Sequence, residues 1–167
     1  YASSHNLMLG TSPTEFSPNI TMTRGMLVTV LYRMNGSPSV SGKTPFTDVR
    51  TDEWYSAAVL WAYQNGIVTG MSDTTFAPIN NVTREQMATI LFRYTKTAAP
   101  DKAKASADLS GFADAGSVND WAVDAMRWAV GQKLIAGITL EQSVYLQPRG
   151  NATRAQAATV LTRYYAQ

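Results

Sequence analysis

WAYQNGIVTGMSDTTFAPINNVTREQMATILFRY, residues 61–94, recurs twice more in this chain. Residues 1–34, YASSHNLMLGTSPTEFSPNITMTRGMLVTVLYRM, align with it without a gap. Gly10 falls on Gly70, Phe16 on Phe76, Pro18 on Pro78, and Thr23-Arg24 on Thr83-Arg84. Residues 128–164 form a third copy that keeps Gly137, Pro148, Thr153-Arg154, Leu161 and Arg163, with three extra residues between Ile138 and Pro148. Self-similarity at this spacing marks stacked supersecondary units rather than one irregular domain.

Working outward, two copies carry an upstream half. Phe46-Thr47-Asp48, Trp54 and Trp61 parallel Phe112-Ala113-Asp114, Trp121 and Trp128. The first copy lacks that half because the chain begins at Tyr1, which reads as a processed or cloned fragment. The boundaries expected are 1–36, 45–97 and 111–167, joined by Gly/Ser/Pro- and Ala/Lys-rich linkers at 35–44 and 97–110.

Each full copy reads as helix, loop, helix, so the fold expected is all-α. The first helix is expected over Asp52–Asn65, with Trp54, Ala58, Trp61 and Ala62 on one face and Gly66 as its stop. Thr83 then N-caps the second helix, with Gln86 closing a capping box. Met87, Ile90, Leu91 and Tyr94 form its apolar stripe. The third copy repeats this with Thr153, Gln156, Ala157, Val160, Leu161 and Tyr164. The first copy has Met26 at the capping partner's place, so only Thr23 can cap. A helix pair this small cannot bury its own apolar face, so the copies must pack on one another.

Composition removes several function classes. The chain has 167 residues, 45% of them hydrophobic, and a net charge of +2, too little for a duplex-DNA reader. It has no cysteine and one histidine, His5, so thiol catalysis, Cys-based zinc sites and His-rich metal sites are excluded. No apolar run approaches the ~18 residues of a membrane span.

The assembled pattern resembles the S-layer homology (SLH) family. Phe46–Val49 with Trp54–Ala62 matches its Phe-x-Asp-Val and Trp-Tyr-x-x-Ala-Val-x-Trp-Ala, and Gly66–Gly70 matches its Gly-Ile-Val-x-Gly. Phe76–Arg84 matches its Phe-x-Pro-x-x-x-Val-Thr-Arg. The resemblance implies three tandem repeats in a pseudo-threefold, spindle-shaped array. It also implies an extracellular cell-surface protein held non-covalently to secondary cell-wall polysaccharide, often through a pyruvylated sugar. No enzymatic activity, cofactor, metal, nucleic acid or membrane insertion is expected. The rivals are a helical-repeat scaffold for protein partners and the accessory part of a secreted enzyme. The family's Thr-Arg-Ala-Glu departs here to Thr23-Arg24-Gly25-Met26, Thr83-Arg84-Glu85-Gln86 and Thr153-Arg154-Ala155-Gln156.

Arg24, Arg84 and Arg154 stand at the first turn of the second helices, where the helix dipole opposes a cation by ~0.3–1 kcal/mol. A helix N-terminus beside a guanidinium suits a carboxylate, the group a pyruvyl ketal carries. The alternative is a salt bridge between copies. Arg84, in the copy with two neighbours, is the expected principal site, and Arg84→Ala is expected to leave melting nearly unchanged. Gly10, Gly70 and Gly137 are expected to shape the loop and line the pocket. Trp54 and Trp121, near helix starts, are the aromatics placed to reach a groove; Trp61 and Trp128 read as core. Arg33, Arg93 and Arg163 read as favourable C-terminal charges, and Asp48 and Asp114 as turn or cap residues rather than catalytic acids. A second chain or a preceding segment is expected to complete the first copy.

Overall fold

The computed structural model describes residue 8 and residues 15–104 and 106–166. Its helices are α1 (Arg24–Met34), α2 (Ser56–Gln64), α3 (Arg84–Ala98), α4 (Val123–Gly131) and α5 (Arg154–Tyr165). The second helices are α1, α3 and α5, and the first helices are α2 and α4. Between α4 and α5 lie β1 (Ile138–Leu140) and β2 (Ser143–Tyr145), paired antiparallel.

That strand pair corrects the all-α expectation. In the second copy the corresponding loop closes tightly, with Met71 and Ser72 N–H donating to the Thr75 carbonyl. The three extra residues of the third copy lengthen this loop. Ile-Thr-Leu and Ser-Val-Tyr, which include β-branched Ile138, Thr139 and Val144 and aromatic Tyr145, then pair about a turn in which Glu141 has φ +53°.

The first helix of the second copy also starts later than its periodicity predicts, at Ser56 rather than Asp52. The Ser56 hydroxyl donates to the Arg50 and Glu53 carbonyls, folding residues 50–56 into a turn. Trp54 therefore lies on that turn. The helix ends as expected, at Gly66 with φ +68°. Capping boxes form at Thr83/Gln86 and Thr153/Gln156, while Thr23 accepts only from the Met26 N–H.

The copies close on each other in a ring. Met22 N–H donates to Ala152 O at 2.8 Å, Ala152 N–H to Val82 O at 2.9 Å, and Val82 N–H to Met22 O at 2.9 Å. These three residues occupy the same repeat position and are fully buried, so they mark a pseudo-threefold axis. The next residues repeat the relation. Arg24, Arg84 and Arg154 N–H donate to Asn80, Gly150 and Ile20 carbonyls, each at 2.9 Å. Gly25, Glu85 and Ala155 N–H donate to Pro78, Pro148 and Pro18 carbonyls. The early N–H groups of each second helix are thus satisfied by the next copy's loop, which fixes where each helix begins.

Packing crosses the copies in the same sense. First helix α2 lies on α1, and α4 lies on α3. Tyr32 meets Trp61 with ring centroids 5.7 Å apart, and Phe92 meets Trp128 at 5.2 Å. Leu27, Leu31, Met87, Leu91, Ala157 and Leu161 point from the second helices into one shared core. On α3, which packs against α4 and the turn that precedes it, Glu85, Ala88 and Thr89 are buried; on α5 the corresponding Ala155 and Ala158 are half-buried and Thr159 is exposed.

Candidate functional site

A groove of about 340 Å³ opens where three copies meet. Arg24 enters it from the first copy. The second copy supplies the Val68–Met71 loop and one face of α3, and Trp121 comes from the third. Gln86, Thr89, Ile90 and Arg93 stand at i, i+3, i+4 and i+7 on α3, so they share the face that lines it. The corresponding groove at Arg84 holds about 180 Å³ and is lined by Gly137, Ile138, Gln156 and Arg163 among others.

The three arginines expected as anion binders are buried, at 5%, 7% and 5% exposure, rather than set on open helix ends. Each Nε donates to a carbonyl of the next copy: Arg24 to Phe76 at 2.8 Å, Arg84 to Leu146 at 2.7 Å, and Arg154 to Phe16 at 3.0 Å. Two of the guanidinium groups also lie over the ring of that residue, Arg24 over Phe76 at 4.7 Å and Arg154 over Phe16 at 4.8 Å. Leu146 gives Arg84 no such ring. Burial pushes the Arg24 guanidinium down to about 10, opposed by the nearby Asp48 charge, so it remains a cation at neutral pH. Burial also lowers Arg84, with Asp114 opposing, and lowers Arg154.

Asp48 and Asp114 hold the loops that these arginines touch. Asp48 accepts from Phe76 N–H at 2.9 Å and Ala77 N–H at 2.7 Å; Asp114 accepts from Leu146 and Gln147 N–H, both at 2.7 Å. Ala77 and Gln147 have positive φ, and a carboxylate gripping two successive N–H groups stabilises that turn. For both acids the sequence pattern predicts a turn or cap role. They act instead on a loop about thirty residues downstream in the same copy, which local spacing cannot reveal.

Gly70 lines the larger groove and Gly137 the smaller. Gly70 has φ +85°, and a Cβ there would sit 2.5 Å from Ser72 O and 2.6 Å from the Phe46 ring. Gly10 and His5 lie outside the described residues. The tryptophans divide into two kinds: Trp61 and Trp128 are buried, whereas Trp54 and Trp121 are 58% and 54% exposed on the turns that precede α2 and α4.

Arg93 and Arg163, expected from their positions to be favourable helix C-terminal charges, both line grooves. Arg93 donates to Thr69 Oγ1 at 3.2 Å and Arg163 to Leu134 O at 3.0 Å. The missed signal was helical phase: Arg93 lies seven residues from Gln86, on the face that follows the capping pair.

The S-layer homology domain family model matches residues 45–88 and 111–158. An endoglucanase of Bacillus sp. (strain KSM-635) is 34% identical over 93% of this chain, which spans 16% of that protein. The Surface-layer 125 kDa protein of Lysinibacillus sphaericus is 32% identical over 89% of this chain and 12% of its own length. An amylopullulanase of Thermoanaerobacterium thermosulfurigenes is 29% identical over 95% of this chain and 8% of its own. The chain thus spans under a fifth of these relatives. Among the described residues no helix is long and apolar enough to cross a membrane. The chain belongs to the S-layer homology domain family, whose members are binding modules, not catalytic in themselves, that anchor proteins at the cell surface.

Proposed function

We propose that the Arg24 groove is the principal ligand site and that it binds secondary cell-wall polysaccharide through an acidic, pyruvylated sugar. One observation carries this reading: two guanidinium groups, Arg24 and Arg93, share an open groove with the Gly70 loop and an exposed indole, Trp121. The Arg24 Nε is committed to Phe76 O, so its terminal nitrogens are the part available to a carboxylate. Trp121 offers a flat apolar surface to a sugar ring. Arg24 is preferred over Arg84 because its groove is about twice as large and has its tryptophan.

The test is sedimentation with purified cell walls, with and without their secondary polysaccharide, followed by calorimetry with a pyruvylated aminosugar glycoside and its neutral counterpart. Retention only by polysaccharide-bearing walls, and much tighter binding of the acidic sugar, are expected. Equal binding of both sugars counts against the carboxylate reading. Retention by stripped walls favours the protein-scaffold alternative. In proteins such as the endoglucanase and amylopullulanase relatives, a chain of this kind would serve as the wall-holding part.

The half-open face of α5 supports a second proposal. A helix of the α2 and α4 kind, contributed by a second chain or by a preceding segment of the first copy, packs on Ala155, Ala158 and Thr159. Its leading tryptophan completes the Arg84 groove.

A further inference from the structure

We propose that Glu85 is a positioning residue for the Arg24 groove: its carboxylate clamps Asn119 and thereby holds Trp121 at the groove. Glu85 is 2% exposed, at the second position of α3. Its Oε2 accepts from the Asn119 N–H at 3.0 Å and its Oε1 from Asn119 Nδ2 at 2.6 Å. Asn119 opens the single turn Asp120–Ala122 that carries Trp121, and its carbonyl closes that turn by accepting from Ala122 N–H at 2.8 Å. The clamp therefore acts two residues from the indole, between the second copy and the third.

The other interface shows why the clamp is needed. There the repeat position of Glu85 is Gly25, and the residue after Trp54 is Tyr55. Tyr55 is buried against Gly25, and its ring meets Trp54 edge-on at 5.1 Å. The residue after Trp121 is Ala122, which cannot support the indole in this way. A large side chain opposite glycine at one interface is exchanged for a small side chain opposite glutamate at the other. Two hydrogen bonds to a buried carboxylate then do for Trp121 what ring packing does for Trp54. The third copy has Ala155 at this position, so the clamp belongs to one interface and is invisible to any reading of what repeats.

This role rests on the proposed sugar groove for its functional meaning, but its structural core can be tested without ligand. In a Trp54→Phe background, Trp121 is the one strongly exposed indole, since Trp61 and Trp128 are buried. Glu85→Ala, the residue of the third copy, should raise acrylamide quenching of Trp121 about twofold and speed its anisotropy decay as the turn opens locally. Affinity for the pyruvylated aminosugar glycoside should fall about tenfold. Glu85→Gln, which keeps the volume and one acceptor, should lie between. Glu85→Gln with Asn119→Asp exchanges donor and acceptor and should restore both readouts. Unchanged quenching and anisotropy in Glu85→Ala, or a double variant no better than the single alanine, would overturn the clamp. Wild-type protein that does not bind the glycoside would instead sink the sugar reading, and the fluorescence would still judge Glu85.

Discussion

The Nε of Arg24 donates to the carbonyl of Phe76 across a copy boundary, 2.8 Å away, while the guanidinium lies 4.7 Å over the Phe76 ring. One arginine thus joins two copies and faces a groove. Substitution there acts on stability and binding together.

Arg24→Ala should lose a buried charge-assisted hydrogen bond, about 1.5–3 kcal/mol. At about 2–4 °C per kcal/mol for a chain of this size, melting should fall by roughly 3–12 °C. The earlier expectation for Arg84→Ala, little change in melting, gives way to the same behaviour, because Arg84 makes the equivalent bond to Leu146 O. Calorimetric scans of both variants decide it; wild-type melting in either would mean that the Nε contact contributes nothing.

Arg93→Ala separates binding from folding. Its side chain is half-buried and donates to the Thr69 hydroxyl, a contact worth about 0.5–1.5 kcal/mol at most. Affinity for the acidic sugar should drop more than tenfold while melting moves only a few degrees. Unaltered affinity would remove Arg93 from the site.

Gly70→Ala should be severely destabilising. Positive φ at a non-glycine residue costs about 1–3 kcal/mol, and the Cβ would clash with two backbone carbonyls and the Phe46 ring for about 1–3 kcal/mol more. Gly66→Ala is the control, since φ is +68° but nothing lies within 4 Å of its Cβ. Urea unfolding should place Gly66→Ala well above Gly70→Ala in midpoint. Similar midpoints would show that the loop yields easily around Gly70.

The α5 face gives a prediction in trans. In the chain alone, amide exchange should be faster along α5 than along α3, whose equivalent face α4 covers. A peptide with the sequence of residues 52–65 should slow exchange in α5 and raise the melting temperature with concentration. If α5 is already as protected as α3 and the peptide changes nothing, the face is not a helix-docking surface.

Much of this protein was legible in its residues because the relevant physics is local. Thr83 and Gln86 lie one helical turn apart, so the capping box needs no tertiary information, and the same holds for Thr153 and Gln156. The apolar stripe Met87, Ile90, Leu91, Tyr94 and the stop at Gly66 follow from helical period and from the freedom of glycine. Repetition itself showed that the copies must pack together. The hairpin was hidden, since three added loop residues do not announce whether they extend a turn or pair as strands.

Closure of the ring was decided by the tertiary structure alone. It pairs Arg24 of the first copy with the Gly70 loop of the second and Trp121 of the third, so one groove is assembled from residues nearly a hundred positions apart. It also brings Glu85 onto Asn119, at a position where the copies differ. Sequence determined which helices form and how the second helices are capped, because caps and periodicity act within a few residues. Only packing decided which copy completes which groove, because that depends on where Met22, Val82 and Ala152 meet and bond around a common axis.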